Sequence, residues 1–216
     1  MGVGLGHDNI VNIPGEKKSG VWGAVDLISK IKSEADFKLP EFLEKVIIIG
    51  GGNTAIDIAR ELAVLGVNQV DILYRRTIRE MRAYVHEFEG AKKYGVRLIE
   101  NQKPLKISST SAQRLTLTAE NTKTGDKINY ACNWIVMAIG QVKIAEAVIP
   151  GINLDSKGNI IVNQYRETSQ AGVYAGGDCI NGGKEVINAV VDGREAARAM
   201  LLKWGEIELN NWSKNG

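Results

Sequence analysis

Between Val46 and Asp57 the chain reads VIIIGGGNTAID: four β-branched residues, three glycines, then apolar positions at a helical period. A buried strand that passes through a glycine turn directly into a helix is a device for holding a pyrophosphate. Gly50 permits the tight turn, and Gly52 lets the backbone approach a phosphate that a Cβ would block. Ala55 takes the third small position, where helix and strand pack closely, and Gly51, Asn53 and Thr54 complete the binding turn. The helix start adds N–H groups and a partial positive charge. Strand, turn, helix and next strand all fall within about thirty residues, as a dinucleotide-binding unit requires. The end of that next strand chooses the cofactor. Asp or Glu about 20 residues after the glycines suits a free ribose 2′-hydroxyl, whereas Arg suits a 2′-phosphate. Tyr74-Arg75-Arg76 stands there, and Asp71 falls too early, inside the strand. Arg forks match phosphate, so Arg75 and Arg76 favour NADPH over NADH. Arg79 and Arg82 are weaker candidates in the same loop.

A second cluster lies in GVYAGGDCINGGKEVINAVVDGREAA, residues 172–197. A short strand ends in Gly176-Gly177-Asp178, and a helix follows a glycine-bearing loop. Gly177 allows close backbone approach, and the Asp178 carboxylate can accept hydrogen bonds from sugar or polyol hydroxyls. The positive end of the following helix points back at the same place, where it can stabilise an electron-rich ring. Other chemistry-bearing residues read as structural. His7 and His86 have no partner at metal or triad spacing, Asp57 suits a helix's first turn, and Cys179 packs as a small residue without a second cysteine.

These clusters need a scaffold. Alternation between Leu105 and Ala131, with a turn at Thr124-Gly125-Asp126, predicts antiparallel hairpins. Strands are expected at Val46–Ile49, Val70–Tyr74, Val96–Ile99, Trp134–Ile139, Asn159–Val162 and Gly172–Ala175. Helices are expected at Val21–Lys32, from Asn53 to the stop at Gly66, at Tyr84–Lys93 and at Lys184–Lys203. Together these predict an α/β fold of Rossmann-like, three-layer ββα dinucleotide-binding units, with a central parallel sheet and a small antiparallel β-meander.

Composition narrows the function. Lys and Arg number 27 against 25 Asp and Glu in 216 residues, so neither nucleic acid nor an anionic membrane is an expected partner. The 2 cysteines form no CxxC and no Cys/His cluster, which argues against a disulfide scaffold, a zinc site or an iron–sulfur cluster within this chain. There is no signal-peptide pattern and no run of about 18 apolar residues, so a reducing compartment, the cytoplasm, is expected. Glycine is the informative excess, with 24 residues.

VIIIGGGNTAIDIAR, YRRTIREM, AIG and GVYAGGDCINGGKEVINAVVDGREAA occur in the order seen in pyridine-nucleotide-dependent flavin oxidoreductases. The chain resembles in particular the glutamate synthase small (beta) subunit type and the NAD(P)H domain of dihydropyrimidine dehydrogenase, from about Val21 to Leu202. The resemblance implies NADP(H) and FAD as cofactors. It implies that Gly177 and Asp178 meet the FAD ribityl and pyrophosphate region, with Lys184, Glu185 and Val186 near the flavin pyrimidine. Ala138, Ile139 and Gly140 would form the crossover between the two domains. The family's opening FAD fingerprint and upstream iron–sulfur cysteines have no match here, since Gly2-Val3-Gly4-Leu5-Gly6 has the wrong spacing. The implied organisation is a remnant of the FAD-binding domain over 1–19, an NAD(P)H-binding domain over 20–139, and the C-terminal portion of the FAD-binding domain over 140–216. The expected partner is an N-terminal FAD and iron–sulfur segment, or a separate catalytic subunit. The implied reaction is hydride transfer from NADPH to FAD, then electron passage to iron–sulfur centres. Two rivals stand beside it: a non-catalytic NADP(H)-binding fragment that cannot hold FAD by itself, and a flavin-free NADP-dependent dehydrogenase. The last needs a Tyr/Lys or His relay that is not evident.

Overall fold

Val46 to Ile49 are β-branched and buried on both sides, and they form the middle of a parallel sheet. The computed structural model describes residues 1–81, 83, 85–111, 113–143 and 148–205. Arg82 and Tyr84, expected in the arginine loop and at a helix start, lie outside the described residues. The chain divides into two units, His7–Gln141 and a second made of Met1–Gly6 with Val142–Gly216.

In the first unit the strands are β1 (Val21–Gly23), β2 (Lys45–Gly50), β3 (Gln69–Leu73), β4 (Arg97–Ile99), β5 (Gln102–Ser111), β6 (Arg114–Asn121), β7 (Lys127–Cys132) and β8 (Trp134–Ala138). The helices are α1 (Ala24–Ser33), α2 (Asn53–Val64) and α3 (Val85–Lys92). Five strands pair in parallel in the order β1-β8-β2-β3-β4, and β5-β6-β7 form a separate antiparallel meander. The period of two sorts the side chains. Val46 and Ile48 join Ile56, Ala59 and Leu62 of α2 and Phe88 and Ala91 of α3 on one face. Ile47 and Ile49 join Leu115, Leu117 and Ala119 of the meander on the other. That is the expected three-layer arrangement. Each fully buried Ile of β2 contributes about 1.5–3 kcal/mol relative to exposure.

One expectation fails at the front of this unit. The helix expected over Val21–Lys32 begins at Ala24, because Val21–Gly23 is an edge strand in register with Ile135–Met137. Val21 shares the three-and-four spacing of Val25, Ile28 and Ile31, but the β8 edge captures it. The turn into α1 is then closed by Asp8, whose carboxylate accepts N–H bonds from Val25 at 2.9 Å and Asp26 at 3.1 Å. A Cβ at Gly23 would collide with that carboxylate.

In the second unit, the strands expected at Asn159–Val162 and Gly172–Ala175 reduce to single bridges, Leu154 to Ile160, Val162 to Thr168 and Glu167 to Tyr174. Tight turns intervene before any ladder can extend: the Asp155 carboxylate holds the Lys157 and Asn159 amides, and Arg166 sits at φ 63°. The inside–outside alternation survives, with Ile160 buried and Ile161 exposed. A one-turn helix, α4 (Asp178–Asn181), stands where the glycines predict a loop. The last helix, α5, runs Val186–Lys203 rather than from Lys184, because Glu185 caps it in a reciprocal box with Asn188. Met1 and Val3 pack against the cluster of Ile152, Ile160, Ala175 and Cys179.

Candidate functional site

The three glycines between β2 and α2 answer to different neighbours. Gly50 sits at φ 153°, and a Cβ there would collide with the Ala138 carbonyl of β8. At Gly51 a Cβ would stand 2.5 Å from Cε2 of the Tyr74 ring. At Gly52 it would meet nothing within 4 Å among the described residues. The first two are therefore glycine for the fold's own packing. The third has no such neighbour among the described residues, as in a cradle open to an outside ligand.

Gly52 is also the N-cap of α2 and, being glycine, brings no side chain of its own to that end. At the corresponding end of α1 the cap is supplied from elsewhere in the chain, by the Asp8 carboxylate. The partial positive charge of the α2 N-terminus lies at the turn formed by Gly51 and Gly52. Ala55 is fully buried and joins the helix-side core with Val46 and Ile48 of β2, while Asn53 is exposed and Thr54 half-buried at the start of α2.

At the end of β3, Arg75 and Arg76 are both exposed. Their backbone is pinned on several sides: Asn101 N–H donates to the Arg76 carbonyl at 3.1 Å, and the Thr122 hydroxyl donates to that of Arg75 at 3.3 Å. The following 3₁₀ turn, Ile78–Glu80, is locked by a capping box in which the Glu80 carboxylate accepts from the Thr77 amide and hydroxyl. Those bonds, chiefly the backbone one, hold Glu80 below the usual carboxylate range, helped by the charges of Arg76 and Lys123. Asp71 is fully buried and fully engaged: Arg97 donates to it at 2.8 and 3.0 Å and Gln69 at 2.7 Å. It is an internal clamp and is turned away from ligand chemistry.

Residues from the meander join this loop without any signal in their own sequence. Thr122 lies 47 positions beyond Arg75, and Lys123 follows it, close enough to act on the same Glu80 carboxylate. Tyr74, read from sequence only as a strand end, ties the loop to the glycine turn. Ala138 and Gly140, expected at the crossover, belong to the same unit: Ala138 pairs with Gly50, and the Gly140 carbonyl accepts the Asn9 N–H at 2.9 Å.

The second unit holds the other cluster. Gly177, Asp178, Lys184, Glu185 and Val186 all line one cavity of about 460 Å³, together with Met1, Gly2 and Gly4. Gly177 adopts φ 78°, and its N–H donates to Asp192 Oδ2 at 3.0 Å. The other oxygen of Asp192 accepts from Arg166 Nε at 2.9 Å. Asp192 therefore holds the glycine turn against α5, a role its sequence context did not reveal. Asp178 Oδ1 accepts the Lys184 N–H at 3.1 Å, which folds the glycine loop back over the turn.

A parallel sheet with an open glycine corner in one unit and a glycine-walled cavity in the other define a nucleotide-handling redox class, and the comparisons with known proteins agree. The family described as pyridine nucleotide-disulphide oxidoreductase matches residues 2–193, and the chain belongs to that family. It is 30% identical over 199 residues to the NAD-dependent dihydropyrimidine dehydrogenase subunit PreT of Escherichia coli (strain K12), covering 92% of this chain and 46% of that protein. To the glutamate synthase (NADPH) small chain of the same strain it is 26% identical over 237 residues, covering 96% of this chain and 50% of that one. The crystal structure of Lactococcus lactis thioredoxin reductase superposes with a TM-score of 0.75 at 28% identity, covering 95% of this chain and 65% of that chain. The chain thus spans about half the length of these curated relatives. Among the described residues, no helix is long and apolar enough to cross a membrane.

Proposed function

We propose that the chain is the NADPH-oxidising electron-input module of a flavoprotein oxidoreductase. The observation that carries this reading is the open corner at Gly52 beside the exposed Arg75–Arg76 pair. In this reading the unit of residues 7–141 is the NAD(P)H-binding domain, and the second unit is part of an FAD-binding domain. Gly50 to Ala55 would hold the NADPH pyrophosphate through backbone amides and the α2 dipole. Arg75 and Arg76 would take the 2′-phosphate. Gly177, Asp178, Lys184, Glu185 and Val186 would line the FAD site, with Asp178 accepting hydroxyl hydrogen bonds. Bound FAD would supply the two-electron acceptor for hydride from the nicotinamide. The chain's own residues need no acid or base for that step; they bind, orient and bring charge to bear. Electrons would then pass to iron–sulfur centres or a partner subunit, in a reducing compartment such as the cytoplasm. Support for a partner is that matched relatives are described as a subunit and a small chain.

A second reading, an NADP(H)-binding fragment that does not hold FAD alone, is favoured by one observation. Val186, at the wall of the cavity, is 81% exposed, and Ile187 and Val190 beside it are exposed too. The test is a visible absorption spectrum after incubation with FAD and desalting. A retained flavin band bleached by NADPH supports the module as a working reductase. A colourless protein that still binds NADPH supports the second reading, and loss of both overturns the proposal.

A further inference from the structure

Tyr74 touches both halves of the proposed NADPH site, and we infer that it is a positioning residue that sets discrimination between NADPH and NADH. The inference rests on the reading of Arg75 and Arg76 as the 2′-phosphate ligands. The Tyr74 ring lies so close over the glycine turn that a Cβ at Gly51 would be 2.5 to 2.8 Å from three of its atoms. At the far end of the same side chain, its hydroxyl donates to the Glu80 carbonyl at 3.0 Å. Glu80 closes the capping box on Thr77, which directly follows Arg76. One rigid ring therefore spans from the pyrophosphate turn to the segment that presents the arginines.

The backbone of Tyr74 is independently fixed. Its N–H donates to Ile99 at 3.0 Å, and its carbonyl accepts from Gln102 at 2.9 Å. Changing the side chain leaves those bonds in place. Removing the hydroxyl alone frees the Glu80 end while the ring stays on Gly51. The two contacts are thus separable, and they predict different losses. Freeing the Glu80 end loosens the arginines and affects only ligands that carry a 2′-phosphate. Removing the ring disturbs the turn that every dinucleotide uses.

The test is calorimetric binding of NADPH, NADH, adenosine 2′,5′-bisphosphate and AMP to the whole chain. For Tyr74→Phe, the dissociation constants of NADPH and the bisphosphate are expected to rise about five-fold, the scale of one hydrogen bond, with NADH and AMP within about two-fold. Tyr74→Ala is expected to weaken both dinucleotides. Hydrogen exchange gives a readout without ligand: in Tyr74→Phe, amides of residues 75–81 exchange faster while those of α2 do not. Equal losses for all four ligands, no loss, or unchanged exchange at residues 75–81 overturns the role of Tyr74. The double variant Arg75→Ala/Arg76→Ala separates the two layers. If it discriminates and Tyr74→Phe does not, only the positioning role falls; if it does not discriminate either, the 2′-phosphate reading falls first and this inference with it.

Discussion

Gly50 and Ala138 face each other across the β2–β8 pairing so closely that the Ala138 carbonyl occupies the place of a side chain at position 50. Two residues further on, the same turn is open. Gly50→Ala is therefore expected to cost about 2–4 kcal/mol, from backbone strain plus overpacking, whether or not ligand is present. Gly52→Val, at an extended φ of −101°, should cost less than about 1 kcal/mol and yet abolish NADPH and NADH binding. Urea denaturation paired with nucleotide titration checks both. Gly52→Val that binds normally would remove the phosphate-cradle reading.

The arginine pair offers a test of cofactor choice. Arg75→Ala with Arg76→Ala should weaken NADPH binding about 10- to 100-fold, the scale of one or two charge-assisted hydrogen bonds. NADH should change little. The preference should also shrink with added salt in the parent chain, since both guanidinium groups are exposed. Parallel weakening of both dinucleotides counts against a 2′-phosphate contact.

Local fingerprints made much of this fold legible. The β2 run, the glycine turn, α2 and the arginines are contiguous, and so were the hairpins of the meander and the five residues gathered at the second cavity. What escaped depends on contacts between distant positions. Asp8 caps α1 from 17 residues before Val25, Asp192 holds Gly177 from 15 residues away, and Thr122 reaches Arg75 across 47. Val21 shows the same limit from another side: its helical spacing is genuine, but an available sheet edge outweighs it.

Asp192 gives a prediction for the second unit. It is 7% exposed and accepts from both Arg166 and Gly177. Asp192→Ala leaves Arg166 without its partner and frees the glycine turn, so a loss of about 3 kcal/mol is expected. Asp192→Asn should lose less, because a carbonyl oxygen can still accept the Gly177 N–H. Thermal melts of both variants decide this; an alanine variant as stable as the parent would show that the turn holds itself.

Cys132 ties stability to alkaline pH. Burial, the main cause, pushes its thiol from 9.0 up to about 12, with Lys45 opposing and Asp71 adding. The unfolded thiol ionises first, so the folded state carries the extra proton between those values. Stability should fall as pH rises through that window, and Cys132→Ser should flatten the slope. With the buried thiol held so far up, alkylation at pH 8 followed by peptide mapping should leave Cys132 unmodified until urea unfolds the chain.

The carboxylate of Asp8 on the first turn of α1 has a meaning beyond capping. It acts as a tethered competitor, held by a short loop at an effective concentration of about millimolar or more at that helix end. The β1–α1 and β2–α2 corners are of similar build, but the first is occupied by the chain itself. If a dinucleotide binds this sheet as proposed, the α1 corner is already closed to it. In the proposed reading, the negative charge of Asp8 would turn a pyrophosphate away from the α1 corner and leave the glycine turn before α2 as its place.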